Sequence, residues 1–393
     1  MPGLHLEVNV QEEPQVQPSP PTTQYAKKAL SIGIQYEDAK QWTGERAKDP
    51  PPRLLYSHGD PDADVRDFTY PEFYGFQEKD IVVLKDDGKH TPPTKENILK
   101  AIDDLVRDAQ AGDHFVFHYS GHGGQIPNVD GEDEEEDGMD EVIWPVDIIY
   151  SEQDGNATEN YIVDDDLRKR LVDSLPEGTH LTVVLDCCHS GSGVDLPYEH
   201  PQNDEALNQL WSPVKSPTTS AKPFFESVLL PSAGSATVQT TLELEKSERP
   251  SPKTKGSFKK LVINELPSLV NSGAFRALKT LEEAIVTEIK HPHHHKTNDN
   301  KYVTSWAACV DADIEIEGPK GGMLTQAFWE VLRKNRAVTH GELVQALAKQ
   351  LIMTTRPAKK YFLEQGWGTL ACPRPVLSSL HRLEEIHSVP FTF

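Results

Sequence analysis

A chain of 393 residues can hold one large α/β domain or two modest ones, and at 37% hydrophobic content part of it is expected to be tail or linker. A net charge of −23 argues against nucleic acid or an anionic membrane as the main partner and permits a basic substrate. The four cysteines, Cys187, Cys188, Cys309 and Cys372, form no CxxC pair and no disulfide framework, which points to a reducing compartment: the cytoplasm, with the nucleus also open.

Residues 1 to about 24, rich in Pro, Gln and Glu, read as a disordered tail or a short prosegment. They lack a charged-then-apolar leader, and no run approaches a membrane span. Lys27–Tyr36 is a first strand through Ala29, Leu30, Ile32 and Ile34. Residues 43–64 carry Pro, Gly and Asp and read as an irregular loop, followed by a helix or loop over Val65–Phe76. Asp80–Leu84 is a second strand. Thr94–Ala109 is a helix, with Thr94 as N-cap and Ile98, Leu99, Ile102, Leu105 and Val106 at helical spacing. Gly112-Asp113 turns the chain into a third strand, which runs into a Ser-Gly-His turn at His122. After a dense acidic loop, Glu141–Val146 is a short strand, and a helix enters at Tyr161–Asp166 and runs to about Leu175. A turn at Pro176–Gly178 leads to the strand that ends at Cys187 and Cys188. This alternation argues for a parallel sheet covered on both faces.

Residues 199–257 change character and read as a flexible insertion. Leu261–Lys290 is expected to hold one or two helices, with Leu278, Leu281, Ile285 and Ile289 at roughly helical spacing. His293–His295 reads as a solvated basic tract in preference to a metal site. Tyr302–Val310 is a strand, Met323–Arg333 and Gly341–Leu351 are amphipathic helices, and Val376–Leu380 is a last strand.

His122 and Cys188 each lie just past a strand end, in a Gly-Ser turn, at the sheet edge where open α/β proteins place ligands. An imidazole beside a thiol is the minimum for a cysteine nucleophile with its base, and backbone N–H groups in such turns can stabilise an oxyanion. Cys187 competes for the role. The His-Ser-Gly turn favours Cys188 as the exposed thiol and leaves Cys187 packed inward, with His189 able to lower the thiol pKa. The acidic loop 128–141 reads first as a solvated charge run. An EF-hand frame starting at Asp133 fails, because Trp144 falls where the bidentate Glu belongs. A calcium site of another kind stays open, with Asp140, Asp164, Asp165 and Asp195 flanking turns near the same edge.

The stretches KKALSIGIQY, PPTKENI, GDHFVFHYSGHGGQ, DGMDEVIWPVD, YIVDDDL, LPEGTHLTVVLDCCHSGSGVDLPY and GGMLTQAFWEVL lie in order over most of 26–200 and again over 302–380. Together they resemble the type I metacaspases, calcium-dependent cysteine proteases of the caspase-like clan. The resemblance implies a caspase-like three-layer α/β sandwich with a mostly parallel central sheet. It divides residues 25–393 into a large-subunit-like part (25–198), an insertion (199–300) and a small-subunit-like part (301–393). It implies His122 as base and Cys188 as nucleophile, cleavage after Arg or Lys in protein or peptide substrates, and an acidic S1 pocket with Asp186 and the Ser120 hydroxyl. It further implies Ca²⁺ on Asp140, Asp164, Asp165 and Asp195. A monomeric zymogen that nicks itself between about 200 and 260, at Lys246, Arg249, Lys253, Lys255, Lys259 or Lys260, follows from that specificity.

The segment YSHGDPDADVRDF lacks the Cys usual there in the family, and Asp60, Asp62 and Asp64 all stay open as the second pocket acid. CVDAD at 309–313 has Asp313 where the family has Gln. The other reading of the chain is a catalytically silent scaffold or aggregate-binding protein.

Overall fold

The computed structural model describes residues 25–37, 39–44, 51–70, 74–127, 139–151, 156–188, 190, 193–199, 261–262, 289–290, 300–308, 316–318, 321–364 and 374–393. Its main sheet has eight strands: β1 (Lys27–Gly33), β2 (Ile81–Lys85), β3 (His114–Ser120), β4 (His180–Asp186), β5 (Tyr198–Glu199), β6 (Ile289–Lys290), β7 (Tyr302–Ala307) and β8 (Val376–Ser379). Their spatial order is β6-β5-β8-β7-β4-β3-β1-β2. The run from β2 to β7 is parallel, and β8, β5 and β6 continue it antiparallel. Strands from both sides of the insertion thus share one sheet.

Side-chain alternation assigns the two faces. Leu30, Ile32, Phe115, Phe117, Leu181 and Val183 join one apolar cluster, while Ala29, Val116 and Val184 join the other. The first cluster is closed by the helix α2 (Lys95–Val106) through Ile98, Ile102 and Leu105, and by Leu167 of the short helix α3 (Asp164–Arg168), which continues as one wide turn over Lys169–Asp173. The second is closed by Phe68 of α1 (Gly59–Thr69), by α4 (Met323–Lys334) and by α5 (His340–Glu364). The result is the expected three-layer sandwich with a mostly parallel centre.

Thr94 caps α2 as its sequence suggests, its hydroxyl accepting from the Asn97 N–H at 3.3 Å. Three expectations need correction. The loop assigned to 43–64 already contains the first residues of α1. Pro61 is third in that helix, where the backbone N–H has no intrahelical acceptor to lose. The last long helix does not stop at Leu351 but runs to Glu364. Thr354 and Thr355 return their hydroxyls to the carbonyls four residues back, at 2.9 and 2.7 Å, so the polar stretch does not break it. Ile289, placed on a helix by spacing, instead pairs as a strand with Glu199. The rest of the 199–300 insertion, apart from Glu199, Asn300 and the two short strands at 261–262 and 289–290, lies outside the described residues. Among the described residues no helix is long and apolar enough to cross a membrane.

Trp306 of β7 is fully buried, with the rings of Phe328 and Phe391 edge-on to it at centroid distances of 5.3 and 5.6 Å. Trp306→Ala is expected to lower stability by about 3–5 kcal/mol, seen as a lower urea midpoint with an unchanged m-value.

Candidate active site

Parallel pairing of β3 with β4 sets Ser120 opposite Asp186. Two residues further along, each strand has delivered its candidate: His122 on one, Cys188 on the other. The two turns touch. A Cβ built on Gly123 would overlap the carbonyl oxygen of Cys188 and lie 3.2 Å from the Cys187 sulfur. Only glycine lets the chain after His122 pass so close to the cysteine turn. Both cysteines are buried, so Cys188 is not the exposed thiol its turn suggested: the chain after His122 packs closely against it. Cys187 belongs to the apolar cluster, as expected of a thiol packed inward.

His122 is buried and held from several sides. Its Nε2 lies 2.7 Å from the Pro52 carbonyl. A carbonyl only accepts, so Nε2 carries the proton and Nδ1 is the basic nitrogen. Its backbone N–H donates to the Tyr36 hydroxyl at 2.9 Å, and its carbonyl accepts from the Tyr119 hydroxyl at 2.8 Å. Burial first, then the neighbouring Tyr36 and Cys187, push Tyr119 well above the ordinary tyrosine range, so it stays a protonated donor.

Beside this pair, on the face of α1 and α4, lies a buried acidic cluster. Asp60 of α1 accepts from the Ser120 hydroxyl at 2.6 Å and from the Gly322 N–H at 2.8 Å. Asp186 accepts from the Thr325 N–H, in the first turn of α4, at 2.8 Å. Any Cβ on Gly321 or Gly322 would overlap the Asp60 or Asp186 carboxylate respectively. The carboxyl of Asp60 is pushed well above its usual range, first by burial and then by the charge of Asp186. Of the three acids left open by sequence, Asp60 is therefore the one that meets Ser120 and Asp186. Asp62 is 67% exposed and pairs with Lys85 at 2.8 Å. Asp64 turns beneath the sheet edge to His118 Nδ1 at 2.7 Å, the Ser31 hydroxyl at 2.6 Å and the Trp329 indole N–H at 2.9 Å. Burial acts to lower His118, but Asp64, Asp60 and Asp186 outweigh it and raise it above the ordinary histidine value. One buried imidazole thus stands among three buried acidic side chains.

The residues expected to bind calcium lie on the opposite face. Asp164 opens α3 and is buried. It accepts from the Glu141 and Asp165 N–H groups at 3.1 and 2.9 Å. Burial, then Asp195 and Glu141, push its carboxyl well above the usual range. Asp195 is also buried, in a left-handed backbone conformation (φ 44°), its carbonyl accepting from Arg168. Asp140 is half-buried and Asp165 exposed. Among the described residues no three acidic, histidine or cysteine side chains are arranged to hold a metal ion. Glu141, Asp164 and Asp195 are all buried and offer oxygen atoms, the donor type that a hard dication takes.

Sequence reasoning missed His118, Tyr36 and Thr325, and named Asp64 only as a candidate pocket acid. The signal for His118 was present: in a strand of period two it shares a face with Ser120, and Asp186 shares that face on the next strand. The acidic loop 128–138, His189, His293–His295 and the CVDAD segment lie outside the described residues.

A family model described as metacaspase, peptidase C14 domain, matches residues 27–197. The chain is 32% identical over 332 residues to metacaspase-1 of Cryptococcus neoformans var. neoformans serotype D, covering 83% of this chain and 59% of that one. It is 41% identical over 174 residues to metacaspase-1A of Aspergillus niger, covering 44% of this chain and 37% of the relative. The chain therefore spans less than two thirds of the length of either relative. A solved structure of caspase-1 from Spodoptera frugiperda aligns with a TM-score of 0.40 at 10% identity, over 91% of this chain and 87% of that one.

Gly123→Ala is expected to force the two turns apart and slow alkylation of Cys188 by about 10²-fold, with the far-ultraviolet circular dichroism unchanged. Alkylation at the wild-type rate would mean that the close approach of the turns is not what sets the thiol.

Proposed function

Since the chain belongs to the metacaspases through the domain at 27–197, we propose that it is a cysteine endopeptidase cleaving after Arg or Lys, with Cys188 as nucleophile and His122 as base. The observation that supports this best is the register of β3 on β4 with its Gly123 contact, which brings the His122 and Cys188 turns together. His122 Nδ1 takes the Cys188 proton, and the thiolate adds to the scissile carbonyl. Collapse of the tetrahedral intermediate breaks the C–N bond. The imidazolium returns its proton to the departing amine, leaving a thioester. A water, deprotonated by the same Nδ1, hydrolyses the thioester and restores the thiol. The Pro52 carbonyl keeps the imidazole in the tautomer this needs. Cys188→Ala is expected to abolish peptide hydrolysis and Cys187→Ala to retain much of it; the reverse result would put the nucleophile one residue earlier.

The basic P1 preference is supported by Asp60, Asp186 and Ser120, whose polar atoms face one another beside the dyad. A guanidinium or ammonium pairs well with buried carboxylates. It favours their ionised forms, whereas burial and mutual repulsion hold Asp60 up in the free protein. A basic P1 residue therefore displaces a proton on binding. KM for an Arg peptide is expected to fall as pH rises through the pocket's titration. KM for the norleucine analogue should show no such trend, and Asp60→Asn should remove the trend for Arg. Faster cleavage of a peptide with Asp at P1 would refute the assignment.

Calcium is part of the same proposal. Asp164 and Asp195, with Glu141 beside them and with Asp140 and Asp165 nearby in sequence, would hold it. Bound there, Ca²⁺ would neutralise the like charges and tie together the segments carrying them. Titration calorimetry is expected to show binding on the order of 10⁻⁴–10⁻³ M that Asp164→Ala with Asp165→Ala abolishes. Full activity in excess EGTA would contradict the requirement. Self-cleavage at the basic residues between 200 and 260 belongs to the proposal through their sequence alone, since that segment lies outside the described residues.

A further inference from the structure

Just after β1, Tyr36 adopts a left-handed backbone conformation with φ 58°, a conformation a bulky residue holds only when its surroundings impose it. What imposes it is Asp86, just past β2. Its side chain is 2% exposed and accepts from two successive backbone N–H groups, Gln35 at 2.9 Å and Tyr36 at 2.7 Å. The ring nitrogen Nε2 of His58 meets the same carboxylate at 2.5 Å. The turn so fixed makes two separate contacts with the machinery around His122. One is direct: the Tyr36 ring lies on the imidazole, with centroids 4.7 Å apart and planes 31° apart. Its hydroxyl accepts from the His122 N–H at 2.9 Å and donates to the Trp144 carbonyl at 2.6 Å. The other runs through Gln35. Its carbonyl accepts from the Leu54 N–H at 2.9 Å, and its amide donates to the Leu55 carbonyl at 2.7 Å. This anchors the strap whose Pro52 carbonyl meets His122 Nε2 at 2.7 Å.

We infer that Tyr36 and Asp86 are positioning residues for the His122 base: Asp86 locks the Gln35-Tyr36 turn, and the turn aims the imidazole from its face and, through the Pro52 strap, from its edge. Neither residue meets the substrate, and neither exchanges a proton in the reaction. The inference rests on the reading of His122 and Cys188 as the reacting pair. A network serving packing alone would need no left-handed residue pinned by a doubly hydrogen-bonded carboxylate, and no second strap tied to the same turn and bonded to the same imidazole. Restoring a misplaced base is worth orders of magnitude in rate, because a displacement near 1 Å costs about 10²-fold.

The test is the pH dependence of Cys188 alkylation by iodoacetamide, followed by mass spectrometry in the full chain. The variants are Tyr36→Phe, Asp86→Ala, the double variant and His122→Ala, each with its melting temperature. Alkylation reads the thiol–imidazole pair without any peptide substrate. Hydrolysis of an Arg peptide, measured in parallel on the wild type, reports separately on the proposed peptidase function. Tyr36→Phe keeps the ring and removes the hydroxyl, so it is expected to fold, to slow alkylation about tenfold and to narrow the pH range over which the thiol reacts. Asp86→Ala should act in the same direction. The double variant should lose little more than the worse single variant, because both act through one turn. In the peptidase assay the loss should fall on kcat with KM little changed. Wild-type alkylation rates and pH limits in folded Tyr36→Phe and Asp86→Ala would overturn the inference. So would losses that track the melting temperature alone, or that simply add in the double variant.

Discussion

The constraint on which the rest depends is the pairing of β3 with β4 in one register. Ser120 against Asp186 puts one strand's hydroxyl beside the next strand's carboxylate, and two residues on it puts His122 beside Cys188. A slip of one residue would turn every side chain on one strand to the other face. His118 and Ser120 would then point into the apolar cluster of Phe115 and Phe117, and the carboxylates would lose their partners. The alternation that builds the core therefore also builds the site. Apolar residues on both faces of β3 and β4 hold the register, and the polar residues at the strand ends inherit it.

The site is also where the fold carries its electrostatic cost. Asp60, Asp64 and Asp186 are buried at one sheet edge, with the buried His118 among them. Unpaired buried charge is expensive, and removing one partner from such a group typically costs about 3–5 kcal/mol. Hydrogen bonds offset part of it. Ser31, Ser120, Trp329 and the backbone N–H groups of Gly322 and Thr325 all donate into these carboxylates. Those last two donors come from the start of α4, on the far side of the insertion in sequence. The segment from residue 301 onward thus completes the acidic cluster as well as the sheet.

The strands and the turns were legible in the sequence because buried parallel strands are written as apolar runs stopped by Gly, Ser and His. His122 and Cys188 could be read for that reason, whereas Ser120 and Asp186 were suggested by the family resemblance. The choice among Asp60, Asp62 and Asp64 could not. It depends on a helix that begins at Gly59, inside a stretch whose Pro, Gly and Asp content reads as loop, and on which turn of that helix faces β3. Nor could Tyr36 be read, since its part depends on Asp86, fifty residues further along the chain, holding its backbone left-handed. The calcium residues were suggested by family resemblance. The structure adds Glu141, a buried neighbour of Asp164 that the motif reading had passed over.

The central claim is that one register places a reacting thiol beside an acidic pocket shaped for a basic side chain. Trapping the full chain with an arginyl acyloxymethyl ketone and solving the crystal structure of the adduct tests it most directly. The account predicts a thioether on Cys188 with the inhibitor's guanidinium between Asp60 and Asp186, within reach of Ser120. A thioether on Cys187, or a guanidinium seated away from both carboxylates, would contradict it.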